Sequence, residues 1–283
     1  MADFLSDGGL LASRKLNSRP PIFMVHGETG YTMPKPLFFE GLAADQELVL
    51  LQIPGLSGDR PIPGDVPKIA EAYVDQIEQS WPEGRVHIGA FCNGALIALE
   101  MSSQLAMRGR SVDHMVLLDP TLPKSIEAVH RGRAVNPIIR AAYFLFTGRL
   151  SGGASKSDLP NRRIRKLRAR FYYLSNHIKK LRTQLTGHRA SRFRAGQNIW
   201  ATSQLRAAIN HYWPEVYSGK VDLICARQRL ILHEDPTSFW RIIMPHMKVW
   251  GILEKHEEVT GATSSEPAEK MQLLFDQSEN RQA

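Results

Sequence analysis

Three residues of the 283-residue chain stand where chemistry could be done: Cys92, Asp119 and His256. In HIGAFCNGALIALEM, residues 87–101, an apolar strand runs into a small-residue turn and then a helix, with Cys92 at the turn. Such an elbow crowds the residues two places either side of its apex, so both must be small, and here they are Ala90 and Gly94. Cys92 then sits at a helix N-terminus, whose partial positive charge favours a thiolate. The backbone N–H of Asn93 would face the oxygen of an attacked carbonyl. A free cysteine is also among the most buried residue types, and Cys225, inside KVDLICA, reads as core on that ground.

A thiol nucleophile needs a histidine to take and return its proton, and the histidine needs an acid to orient it. His256 follows the last apolar run, in GILEKHEEVT, and Asp119 closes VDHMVLLD. A carboxylate at the end of an apolar strand calls for a buried partner. Asp119 is the expected acid, with Glu234 and Asp235 as rivals in the loop after the 220–226 strand. The second oxyanion donor is expected from the N–H of Glu28 in VHGETG, with His26 supporting that loop. His87 points into packing, His246 marks the turn before the last strand, and His130, His177, His188 and His211 lie in a basic block where exposure is the default.

These residues need a frame. Apolar runs at 22–25, 48–53, 86–90, 112–119, 220–226 and 247–253 read as buried strands. Between them, VPKIAEAYVDQIEQSW repeats apolar residues at helical spacing (Ile69, Ala72, Tyr73, Ile77, Trp81), and helices are expected over about 94–107, 239–245 and 264–277, the last capped by Ser264 or Ser265. Strands alternating with helices imply a mainly parallel sheet covered on both faces. In such sheets ligands sit beyond the carboxyl ends of the strands, where Cys92, Asp119 and His256 all fall.

The alternation stops between residues 121 and 215, where 19 Lys/Arg stand against 3 Asp/Glu, while the rest of the chain carries 17 against 25. Within this block Ile164, Leu167, Phe171, Leu174, Ile178, Leu181 and Leu185 trace one stripe of an amphipathic helix. The expected organisation is a core of residues 1–120 and 216–283 with a basic helical lid at 121–215. An acidic partner surface fits the lid's charge. No aromatic ladder or base-reading motif points to nucleic acid, and a membrane surface is a weaker fit. No run is long enough to span a membrane, the N-terminus lacks an export pattern, and no Cys/His cluster has zinc spacing, so neither metal nor cofactor is expected. Two distant cysteines fit reduced thiols in a cytoplasm.

The sequence resembles the thioesterase domains of nonribosomal peptide and polyketide synthases, in the α/β-hydrolase superfamily. The resemblance rests on PIFMVHGETG, LVLLQIPGLSGD, the stretch from Ile69 to Gly109, VDHMVLLDPTLP, AAINHYWPEVYSGKVDLICAR and KVWGILEKHEEVTG. It is specific from Ile69 to Pro123 and weak across roughly 124–200, where the family carries a variable lid. It implies an α/β-hydrolase fold with a helical lid, a nucleophile at Cys92, an acid at Asp119 and a base at His256. The chain departs from the family in carrying Cys for the usual Ser, Ala90 for the first elbow Gly, and Glu254-Lys255 where a Gly often precedes the histidine. The implied substrate is an acyl thioester of phosphopantetheine, on an acyl or peptidyl carrier protein or coenzyme A. Release by water or transfer to another acceptor would follow, by a discrete enzyme acting in trans. Two alternatives are a cysteine-dependent carboxylester or lactone hydrolase of the dienelactone hydrolase type, and a catalytically silent hydrolase fold that binds an acyl ligand or a protein.

Overall fold

The computed structural model of the chain describes residues 5–7, 10–12, 19–31, 34–56, 60–123, 194–226, 237–252 and 255–280. The expected stripe from Ile164 to Leu185 lies outside them, as do Glu234 and Asp235 and the histidines at 130, 177 and 188.

The strands are β1 (Leu5–Asp7), β2 (Leu10–Ala12), β3 (Ile22–Val25), β4 (Leu48–Leu51), β5 (Val86–Phe91), β6 (Val112–Leu118), β7 (Val221–Ala226) and β8 (Lys248–Ile252). They form one sheet in the order β1-β2-β4-β3-β5-β6-β7-β8. From β4 to β8 every pairing is parallel, with Val25 opposite Ala90 and Ala90 opposite Leu117. The first two strands form an antiparallel hairpin on the β4 edge, with Leu10 opposite Leu51. No periodicity marks this hairpin in the sequence, because three-residue strands are too short to show a period.

The helices are α1 (Pro36–Glu40), α2 (Val66–Ser80), α3 (Gly94–Met107), α4 (Arg194–Asn210), α5 (Ser238–Ile243) and α6 (Glu266–Asn280). They cover the sheet on both sides, and the period-two alternation of the strands sorts the core accordingly. Phe23, Val25, Ile88, Ala90, Met115, Leu117, Leu223 and Cys225 pack with α2, α3, α4 and α5. Ile22, Met24, Leu48, Leu50, Val116, Leu118 and Ile224 pack with α1 and α6. Both faces of the inner strands are therefore apolar, as a doubly covered sheet requires. Burying each such side chain contributes about 1.5–3 kcal/mol.

Local sequence accounts for the helices that flank the elbow. Asp65 caps α2 by accepting the Lys68 N–H, and Pro67 occupies a position in the first turn where no amide donor is needed. Ile69, Tyr73, Val74 and Ile77 then form its buried face. The helix α3 is apolar nearly all round because it lies between the sheet and its neighbours. Among the described residues no helix is long and apolar enough to cross a membrane.

Gly94, the first residue of α3, is fixed by contact: a Cβ there would stand 2.1 Å from the carbonyl oxygen of His26. Helix propensity alone would favour alanine at this position. Gly94→Ala is nonetheless expected to cost about 1–3 kcal/mol through the forced backbone shift. Gly64→Ala, with nothing within 4 Å of the new methyl, should cost less. Urea denaturation of the two variants checks the difference.

Candidate active site

Two non-glycine residues have positive φ among the described residues, Cys92 at 58° and Asp119 at 41°. Left-handed backbone costs an L-residue roughly 1–2 kcal/mol, so both turns must be held by their surroundings. Each is held by the sheet. The Cys92 N–H donates to Leu118 O at 3.0 Å, and the Asp119 N–H donates to Ile224 O at 2.6 Å, extending the ladders one residue past the strands. Cys92 thus turns at the end of β5, and Asp119 at the end of the adjacent β6.

Asp119 is almost completely buried. Its Oδ1 accepts the Ala226 N–H at 3.1 Å, and its Oδ2 lies 2.6 Å from His256 Nδ1. An ionised carboxylate only accepts, so Nδ1 carries the proton and Nε2 is left free for a second partner. Cys92 is the other group whose interaction with the ring favours its charged form. Burial opposes charge on His256, but the bonds to Asp119 and Cys92 and their negative charge outweigh it and raise its pKa from 6.5 to about 9.

His256 opens a one-turn 3-10 helix, His256–Glu258, which the Lys255 N–H closes onto the Glu258 carboxylate at 3.0 Å. That turn brings the imidazole to Asp119. Phe91 stacks on the imidazole, with centroids 5.1 Å apart and planes 21° apart.

Cys92 is 8% exposed, but its sulfur meets polar groups: besides His256, the Thr121 hydroxyl lies at 3.0 Å. The loop after β3 lies against the elbow. A Cβ on Gly27 would stand 3.2 Å from Cys92 Cβ and 3.1 Å from the Phe91 ring. This places the Gly27–Glu28 peptide beside the cysteine. The Glu28 side chain turns outward to an exposed ion pair with Arg206 of α4 at 2.9 Å. Asn93 precedes α3 in helical conformation.

The structure therefore gathers Cys92, Asp119 and His256 at one rim, with the peptides of Glu28 and Asn93 beside them. Among the other described histidines, His87 stacks on Phe275 and His246 sits in the turn before β8. Thr121 and Phe91 are contacts that sequence reasoning misses. Thr121 is signalled only by its place two residues past a strand-end carboxylate, and Phe91 only by its place before the cysteine.

A family model described as the thioesterase domain matches residues 20–219. Malpibaldin synthetase of Mortierella alpina is 28% identical over 141 residues, covering 50% of this chain and 2% of the synthetase. The non-reducing polyketide synthase curS2 of Aspergillus terreus is 30% identical over 118 residues, covering 41% of this chain and 6% of the synthase. The match thus takes in a small fraction of the length of these curated relatives. Among solved structures, the NocB thioesterase domain in covalent complex with a fluorophosphonate nocardicin G analog aligns at a TM-score of 0.58 and 18% identity, over 91% of this chain and 95% of that one. That likeness is one of fold.

The raised His256 pKa has two consequences. In the native protein the ring should titrate near pH 9, followed by NMR, and Cys92→Ala should lower that midpoint by removing one of its two partners. Because the folded pKa lies above the unfolded 6.5, the stabilisation is complete below pH 6.5 and is lost as pH rises through about 9. Unfolding stability should fall over that interval, and His256→Gln should flatten the fall.

Proposed function

The chain belongs to the thioesterase-domain family, and from that premise we propose that it cleaves acyl thioesters through an acyl-enzyme on Cys92. His256 carries the proton and Asp119 orients it. The substrate is an acyl group joined to a phosphopantetheine arm, on a carrier protein or coenzyme A. The observation that carries this reading is the 2.6 Å contact of Asp119 Oδ2 with His256, a ring that also interacts with Cys92 at a left-handed strand-to-helix turn.

In acylation the Cys92 sulfur attacks the carbonyl carbon. Negative charge gathers on the carbonyl oxygen, facing the Asn93 and Glu28 N–H groups. The bond to the arm's sulfur then breaks, and the departing thiolate takes the proton from His256. One thioester replaces another, so the acyl group stays activated. In deacylation His256 removes a proton from water, or from the hydroxyl or amine of another acceptor. The new oxygen or nitrogen bond forms at the carbonyl, and the Cys92 thiolate leaves to pair again with the imidazolium.

The electrostatics support this order of events. Part of what raises His256 comes from Cys92. Acylation neutralises that sulfur and leaves the ring readier to be a neutral base at the step that needs one. The retained activation of the acyl group makes transfer as accessible as hydrolysis.

A dienelactone-hydrolase-type enzyme would take its acid from the loop after β7. The 2.6 Å contact of His256 with Asp119 favours the thioesterase reading instead. A silent binding protein would be favoured by an anion in the oxyanion position, but the Glu28 carboxylate pairs outward with Arg206. We read residues 121–215 as the lid, with its 19 Lys/Arg against 3 Asp/Glu suited to an acidic carrier or the phosphates of the arm. The free thiols suit a reducing cytoplasm.

Steady-state turnover of an acyl-pantetheine thioester tests the reading. Cys92→Ala should fall to background, about 10³-fold or more, and Asp119→Asn should fall by at least about 10²-fold through loss of the ring's orientation. Wild-type turnover by Cys92→Ala would remove the nucleophile assignment.

A further inference from the structure

His26 and Tyr73 are both fully buried beside the loop after β3. His26 Nδ1 lies 2.6 Å from the Gly27 carbonyl oxygen, and its Nε2 lies 2.5 Å from the Tyr73 hydroxyl. The proton positions follow from chemistry. A carbonyl can only accept, so Nδ1 carries the hydrogen. Burial holds the ring pKa down at about 4 against the opposing Gly27 bond, so the imidazole is neutral and Nε2 keeps a lone pair. The Tyr73 hydroxyl must then be the donor. Burial raises its pKa as well, so it keeps its proton. The opposite tautomer would set two acceptors, Nδ1 and the Gly27 oxygen, face to face.

The Gly27 carbonyl is held toward the ring and also accepts the Gly30 N–H at 3.3 Å. In a planar trans peptide the carbonyl and the N–H point in opposite directions. Pinning the Gly27 oxygen inward therefore aims the Glu28 N–H the other way, on a loop that lies against Cys92.

We propose that Tyr73, on α2, is a positioning residue for the oxyanion donor: it selects the His26 tautomer that locks the Gly27–Glu28 peptide in its productive orientation. The inference rests on the Cys92 acyl-enzyme reading and deepens it. Without the phenol, Nε2 loses its donor in a dry environment. The ring then gains by exchanging tautomer or turning, and the Gly27 oxygen is left on the long Gly30 N–H bond alone, which holds the peptide less firmly.

Tyr73→Phe keeps the ring and removes only the hydroxyl. Two reactions at Cys92 separate positioning from general damage. Thioester acylation builds an oxyanion. Alkylation by iodoacetamide is displacement at a saturated carbon, with no tetrahedral oxyanion to stabilise. The variant should lose about 10- to 100-fold in kcat on an acyl-pantetheine thioester, less than the roughly 10²–10³ for deleting a donor outright. Its KM and its iodoacetamide rate should stay within about two-fold of wild type.

Unchanged kcat overturns the proposal, and so does an equal loss of kcat and alkylation rate. If Tyr73→Phe fails to fold, the His26 tautomer of the native protein, read from its ring carbon and nitrogen NMR shifts, decides: a proton on Nδ1 supports the relay and one on Nε2 overturns it. Turnover that survives complete alkylation of Cys92 in the wild type refutes the underlying acyl-enzyme, a failure distinct from that of the relay.

Discussion

The carboxylate of Asp119 is held at the end of β6 almost out of contact with water. A buried anion is tolerated only where hydrogen bonds and opposite charge replace the lost solvent. Here one oxygen takes the Ala226 N–H and the other takes His256. That second bond does more than satisfy the carboxylate. It fixes which ring nitrogen carries the proton and, with Cys92, keeps the imidazole charged into the alkaline range. Removing Asp119 would leave His256 on a single 3-10 turn, with the Phe91 ring and the thiol as its remaining neighbours.

The same rim carries the backbone strain. Cys92 and Asp119 both adopt left-handed conformations that their side chains disfavour. Neither would persist at a free chain end. Both are held because the strand ladders run one residue further than the strands, with Leu118 and Ile224 as acceptors. Adjacent parallel strands therefore present two side chains outward at nearly the same level. The close approach of the His26 carbonyl to Gly94 brings the loop after β3 to that level too. Strain at the site is supported by the most regular part of the fold.

Much of this was legible in the sequence, for identifiable reasons. The inner parallel strands are buried on both faces and so read as continuous apolar runs, and a shared position at strand ends singled out Cys92, Asp119 and His256. The run from Leu48 to Ile53 is strand only as far as Leu51, as the chain enters the turn at Pro54-Gly55. The β1–β2 hairpin escaped because each strand is three residues long, although Gly8-Gly9 between them is a hairpin signature. Thr121 and Phe91 escaped because their contacts exist only once two strand ends stand side by side. Tyr73 is the sharpest case. Its spacing with Ile69 and Ile77 marks it as core, and it is core, but its hydroxyl points at a histidine whose proton position no periodicity encodes.

A cysteine at the elbow gives the site a different balance from a serine. Serine needs a neutral imidazole before attack, whereas part of what holds this ring charged up to about pH 9 is the cysteine itself. In cysteine enzymes generally the attacking form is a thiolate paired with an imidazolium, and the base is needed only after the sulfur has been acylated. The most direct measurement is peptide mapping of the protein quenched during turnover of an acyl thioester. The account predicts an acyl adduct on the peptide 86–108, on Cys92, released by neutral hydroxylamine as a thioester should be. Turnover with the adduct on another residue would contradict it, as would turnover with no adduct on Cys92 at any quench time.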